Sequence, residues 1–72
     1  MLSKKIIITG NTVVDEVEIA SYSAVLNTND MDLSLISRYV DKEACKIHKD
    51  VVRADQAEFE DYAYYLQDML KG

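Results

Sequence analysis

Apolar and polar positions change rhythm three times along this 72-residue chain. The opening stretch KKIIITGNTVVDEVEI sets two β-branched runs around Gly10-Asn11, a pair suited to the positive φ angles of a tight turn, and predicts a hairpin of strands 4–9 and 12–19. Val13, Asp15, Val17 and Ile19 alternate with Val14, Glu16 and Glu18; past Ile19 the apolar set moves to Ala20, Tyr22, Ala24 and Leu26. That phase change is what a β-bulge produces. A helix over 13–25 competes, because Val13, Val17, Ala20 and Ala24 also fit helical spacing behind a Thr12 cap, but β-branched and aromatic residues favour strand. NTND at 27–30 is a turn cluster. After it, Met31, Leu33, Leu35, Ser37 and Tyr39 alternate with Asp32, Ser34, Ile36, Arg38 and Val40, which predicts a third strand over a short helix using Leu33, Ile36 and Val40.

From Asp41 onward the period becomes helical. At about 100° per residue, Ala44, Ile47, Val51, Val52, Phe59, Tyr62, Tyr65, Leu66, Met69 and Leu70 share one side, opposite Lys42, Lys46, Lys49, Arg53, Glu60 and Gln67. The stripe keeps its phase, which favours one continuous helix. Against this, Asp55 could cap a new helix with Glu58 at the capping-box position. The expected fold is α+β: one domain over 1–72, a three-stranded antiparallel β-meander over 4–40, then a long C-terminal helix over 41–71. The alternative breaks that helix near Asp55 into a hairpin. Thirty helical residues span about 45 Å, against a diameter near 30 Å for a compact domain of this size, so an unbroken helix is expected to project as an arm.

Composition narrows the sources of stability. A core this small rarely supplies more than about 3–5 kcal/mol unaided. The single cysteine, Cys45, excludes an internal disulfide, and one histidine beside it falls short of a structural zinc set, so packing and association remain. The 49% hydrophobic content suits a folded domain. MLSKKIIITG opens like a signal peptide, yet its apolar run stops after Ile8 with no small-residue cleavage site. No apolar run approaches the ~18 residues a membrane span requires. A cytoplasmic location without membrane association is the resulting expectation. The net charge of −5 disfavours direct nucleic-acid binding.

The charges are nevertheless segregated. Lys42, Lys46, Lys49 and Arg53 follow one helical edge, whereas Asp55, Glu58, Glu60, Asp61 and Asp68 dominate the second half, the reverse of the macrodipole's preference. Two such helices packed antiparallel would set each basic half beside the other's acidic half, which predicts an isologous homodimer. Asp55 and Glu58 fall inside the apolar stripe. Buried without partners they would cost several kcal/mol; a helix break would supply donors, or a dimer would supply bases from the second copy's Lys46, Lys49 or Arg53, within a charge-pairing set that also includes Lys42. The candidate partner-binding residues are Phe59, Tyr62, Tyr65, Leu66 and Met69, with Tyr64 a further exposed anchor.

Chemistry-bearing candidates are sparse. Cys45 and His48 stand three apart with Asp41 a turn earlier, but no orienting group or oxyanion nest accompanies them. TGNT at 9–12 lacks the second glycine and the lysine of a phosphate loop. No cofactor is implied, and the expectation is a non-enzymatic protein. Acidic side chains at helical spacing also permit a phosphate-backbone mimic that blocks a nucleic-acid-binding enzyme.

The stretch SRYVDKEACKIHKDVVRADQAEFEDYAYYLQ resembles small uncharacterised proteins of phages and mobile elements of Gram-positive bacteria. What the resemblance implies is an accessory, assembly or host-takeover role; it carries over no functional residue. The expected function is protein–protein interaction with self-association through the C-terminal helix, alongside an unidentified protein partner.

Overall fold

The computed structural model describes residues 2 and 4–71. Three strands, β1 (Lys5–Val14), β2 (Val17–Asn27) and β3 (Asp32–Tyr39), form an antiparallel sheet in the order β1-β2-β3. Two helices follow, α1 (Lys42–Ile47) and α2 (Lys49–Lys71). The α+β meander with a long C-terminal helix is therefore present.

The first turn lies elsewhere than Gly10-Asn11. β1 runs through both residues, and the chain reverses at Asp15-Glu16, whose φ angles of 51° and 68° are those of a two-residue type I′ turn. Gly10 serves a different purpose: a Cβ there would stand 3.1 Å from Phe59 Cδ1, so its missing side chain lets the α2 aromatic settle on the strand. The expected phase change is real. Thr12 pairs with Ala20 but Val13 pairs with Glu18, leaving Ile19 as the extra residue of a bulge. Its carbonyl, freed from the ladder, accepts from Val40 N–H at 2.9 Å and Asp41 N–H at 3.1 Å. The turn between β2 and β3 is fixed by side chains: Asn27 Oδ1 accepts from Asn29 N–H and Asp30 Oδ1 from Asp32 N–H, each at 3.0 Å.

The register Ile6↔Leu26↔Leu33 and Ile8↔Ala24↔Leu35 places these side chains on one face, and that face carries α2. Ala20, Tyr22, Ala24 and Leu26 of β2 bury against it, joined by Val52 and Ala63 from the helix. The opposite face, with Ile7, Thr9, Ser21, Ser23 and Ile36, is uncovered.

The helical region is interrupted at His48, whose φ −107° and ψ 34° leave the helical range, and not at Asp55. Asp41 caps α1 by accepting from Ala44 N–H at 3.0 Å. α1 sets Ala44 and Cys45 against the bulge at the sheet's end, whereas α2 must lie along the strands; the pivot at His48 reconciles the two directions. The molecule measures 45 × 21 × 16 Å. Strands of ten and eleven residues are about as long as the 23-residue helix, roughly 34 Å. α2 thus lies along the sheet, with Gln67 still donating to the Met31 carbonyl at 2.8 Å. The expected projecting arm is reduced to the last turn.

Candidate interaction surface

Two side-chain contacts orient α2. Asp55 reaches Thr12 on β1, and the next residue, Gln56, donates to Ser37 Oγ on β3 at 3.1 Å. Consecutive positions thus straddle the helix, giving it a β1 flank and a β3 flank. Helical spacing then assigns the rest. Tyr62, Tyr65 and Met69 continue the β1 flank with Glu58 and Val51; Lys49 and Arg53, seven and three residues before Gln56, lie on the β3 flank with Glu60 and Gln67.

The candidate partner-binding residues divide accordingly. Phe59 is half-buried, 5.8 Å from the Tyr22 ring centroid, and Leu66 is half-buried beside Ile6, Ile8 and Leu33. Both belong to this chain's own core. Tyr62, Tyr65 and Met69 are 53%, 58% and 58% exposed, a run of large apolar side chains three and four residues apart. Ile47 and Val51, counted in the same stripe, are also exposed. Hydrophobic weighting passes over Ala63 because it is small, yet it is buried beside Ile8, Ala24 and Leu26 of the sheet.

The charge-pairing set is likewise separated. Asp55 has a partner within the chain: Thr12 Oγ1 donates to its Oδ2 at 2.7 Å. Glu58 is exposed, and Lys49 and Arg53 sit on the flank opposite both carboxylates. Lys42 and Lys46 lie on α1, across the His48 pivot. The six residues thus lie on two helices and on both flanks of α2.

Asp55 anchors a buried chain of hydroxyls. Thr12 is fully buried and its oxygen lies 2.7 Å from Tyr22 Oη. An ionised carboxylate only accepts, so Thr12 gives its proton to Asp55 and must accept from Tyr22. Tyr22 Oη also lies 3.3 Å from the Val52 carbonyl, a weaker second direction for the same proton. Burial pushes the Tyr22 phenol above its usual 10.0, and the nearby Asp55 charge adds to it. Cys45 is committed similarly, its thiol donating to the Ile19 carbonyl at 3.2 Å.

Beside this chain lies an open cleft of about 270 Å³ between β1 and α2, bordered by Gly10, Asn11, Glu58, Phe59 and Tyr62. It joins the exposed aromatic flank to the outer edge of β1. A larger, less open depression of about 500 Å³ occupies the uncovered sheet face among Thr9, Asn11, Ser21, Ile36 and Arg38. Among the described residues no group of three or more His, Cys, Asp or Glu is placed to hold a metal ion, and no helix is long and apolar enough to cross a membrane. Comparison with protein-family models, with curated proteins and with solved structures finds no match.

Proposed function

We propose that this chain is a non-enzymatic protein-interaction module that self-associates through the β1 flank of α2, in keeping with an accessory role in a phage or mobile element. The reading rests on one observation: Tyr62, Tyr65 and Met69 stand exposed in a continuous row on the flank that borders an open strand edge. Aromatic and methionine side chains are enriched at interface centres, where they supply area at little entropic cost. The opposite flank is polar and tied down by Gln56 and Gln67. Sedimentation equilibrium of the wild type beside Tyr62→Ala/Tyr65→Ala tests the reading. The expected result is a dimer at micromolar concentration and a monomer with unchanged circular dichroism in the variant. A wild-type monomer up to about 100 μM, or a variant that dimerises equally well, would overturn it.

An acidic inhibitor is the second reading, supported by Asp50, Asp61 and Asp68 on the outward face of α2, all exposed. It requires a monomer whose binding to a basic host protein weakens steeply with salt.

A further inference from the structure

The helix flank leaves the neighbouring strand edge unexplained. β1 is ten residues long and carries no charge between Lys5 and Asp15, whereas β3, the other edge among the described residues, holds Asp32 and Arg38. Edge strands of stable monomers are normally blunted by charge, proline or short length. We infer that β1 pairs antiparallel with β1 of a second copy about a two-fold axis at Gly10, joining two sheets into one of six strands. The inference rests on the self-association proposed above and specifies its register.

Backbone polarity supplies the first support. Thr28 N–H donates to the Lys4 carbonyl at 3.1 Å, in register with Lys5↔Asn27. Even-numbered β1 residues up to Thr12 therefore direct their backbone groups at β2, and Lys5, Ile7, Thr9 and Asn11 turn theirs outward. Those outward groups are the ones a second strand satisfies.

Parity restricts the axis. Directly opposed residues present side chains to the same face, so an odd residue pairs only with an odd one. Near the middle of β1 this leaves an axis at Thr9, Gly10 or Asn11. Side-chain chemistry selects among them. The Gly10 axis opposes Ile7 with Val13 and Thr9 with Asn11, apolar with apolar and polar with polar, and brings Lys5 beside the turn that begins at Asp15, charge near countercharge. Ile7 and Val13 are 64% and 52% exposed in the single chain, and this register covers each with the other. An axis at Thr9 sets Ile7 against Asn11 and Lys5 against Val13; one at Asn11 sets Ile7 against Asp15. A parallel arrangement would stack Lys5 on Lys5.

The same axis organises the helices. Both α2 helices lie on one face of the joined sheet, antiparallel, and Gly10 sits beneath Phe59, so the axis passes near that level. Met69 of one copy comes level with Val51 of the other, and the clefts beside Tyr62 open toward each other across the axis.

Hydrogen exchange on the wild type, followed residue by residue by NMR beside sedimentation, tests the register. In the dimer the amides of Ile7, Thr9, Asn11 and Val13 exchange as slowly as those of Ile6 and Ile8; on dilution to monomer these outward amides lose that protection, by about a hundredfold, and the inward ones keep it. Thr9→Pro deletes one outward N–H without touching the β2 ladder and is expected to yield a folded monomer. Lys5→Glu and Asp15→Lys should each weaken the dimer about tenfold, and the double reversal should restore it. A dimer whose odd-numbered amides stay unprotected, or double reversal without rescue, overturns β1 pairing and leaves helix-mediated association standing. A monomer at every concentration overturns both.

Discussion

Replacing Thr12 by valine removes one oxygen and leaves shape almost unchanged, so it isolates what the buried hydroxyl chain contributes. Valine fits an extended strand at least as well as threonine, and the site is fully buried, which keeps packing constant. Two bonds disappear. Tyr22 loses its 2.7 Å acceptor and keeps only the Val52 carbonyl at 3.3 Å; Asp55 loses a 2.7 Å donor. A bond to a charged acceptor contributes roughly 1.5–3 kcal/mol, and stranding a buried hydroxyl costs about 1–3 kcal/mol. Both losses are partial, because Val52 remains for Tyr22 and half-buried Asp55 recruits water, so the expected destabilisation is about 2 kcal/mol. In a domain of this size that lowers Tm by roughly 8–16 °C.

Thermal and urea unfolding followed by circular dichroism measure this directly. Thr12→Ser keeps the hydroxyl, gives up a methyl group, and should lose about 1 kcal/mol through packing alone. A double-mutant cycle with Asp55→Ala separates the pairwise part, expected at about 1–2 kcal/mol. A Thr12→Val protein within about 0.5 kcal/mol of wild type, or a coupling near zero, would refute the assignment of Asp55 to an intrachain partner. Asp55 would then again need a base from elsewhere.

Two other consequences concern the turn and the phenol. Asp15 and Glu16 both hold positive φ, where a residue with a Cβ is strained, so Asp15→Asn/Glu16→Gly should stabilise the monomer by about 1 kcal/mol, read as a raised urea midpoint. Burial raises the Tyr22 phenol above 10.0, so the folded state holds that proton where the unfolded chain has begun to release it. The contribution is complete below pH 10 and is lost as pH climbs through the higher folded value. Ultraviolet absorbance should show a late tyrosinate component that coincides with loss of circular dichroism and is missing in Tyr22→Phe.

The meander was legible because alternation survives wherever one sheet face is covered and the other is not. Its first turn was misplaced for a physical reason. Val13, Asp15, Val17 and Ile19 read as one uninterrupted strand, but the chain doubles back between Val14 and Val17 and pairs Val13 with Glu18, so Val14, Val17 and Ile19 share a face that Val13 does not. Gly10 drew attention as a turn former, yet its role depends on Phe59, a residue far along the chain that no local pattern reveals. The bulge was visible as a change of phase, since an inserted residue must shift every later side chain. On α2, hydrophobicity alone overestimated the buried width. Three strands about 4.8 Å apart cover only a narrow strip of the helix, and the small residue Ala63 is buried beside Ala24. Asp55 was correctly conspicuous as a carboxylate in an apolar stripe; its partner Thr12 was not visible, because the pairing crosses the whole sequence.

Magnitudes decide whether the helix flank can sustain a dimer by itself. Full burial of a large apolar side chain contributes about 1.5–3 kcal/mol, so covering the exposed half of Tyr62, Tyr65 and Met69 gives roughly 3 kcal/mol per copy and about 6 kcal/mol per dimer. Association costs about 4–15 kcal/mol in lost freedom. The flank alone is therefore marginal, and in the proposed dimer the β1 edge, with Ile7 against Val13 and its outward backbone groups satisfied, would tip the balance. Stability of the fold then depends on protein concentration. For a dimer that unfolds to monomers, each tenfold rise in concentration adds about 0.7 kcal/mol per chain, which shifts Tm upward by about 3–5 °C in a domain this small. Calorimetry from 10 μM to 1 mM should thus show a rise of about 6–10 °C in the wild type and a flat response in Tyr62→Ala/Tyr65→Ala. A wild-type Tm constant across that range would mean that the three-stranded sheet and its helix carry the fold alone, and that the exposed aromatic row answers to a partner other than a second copy.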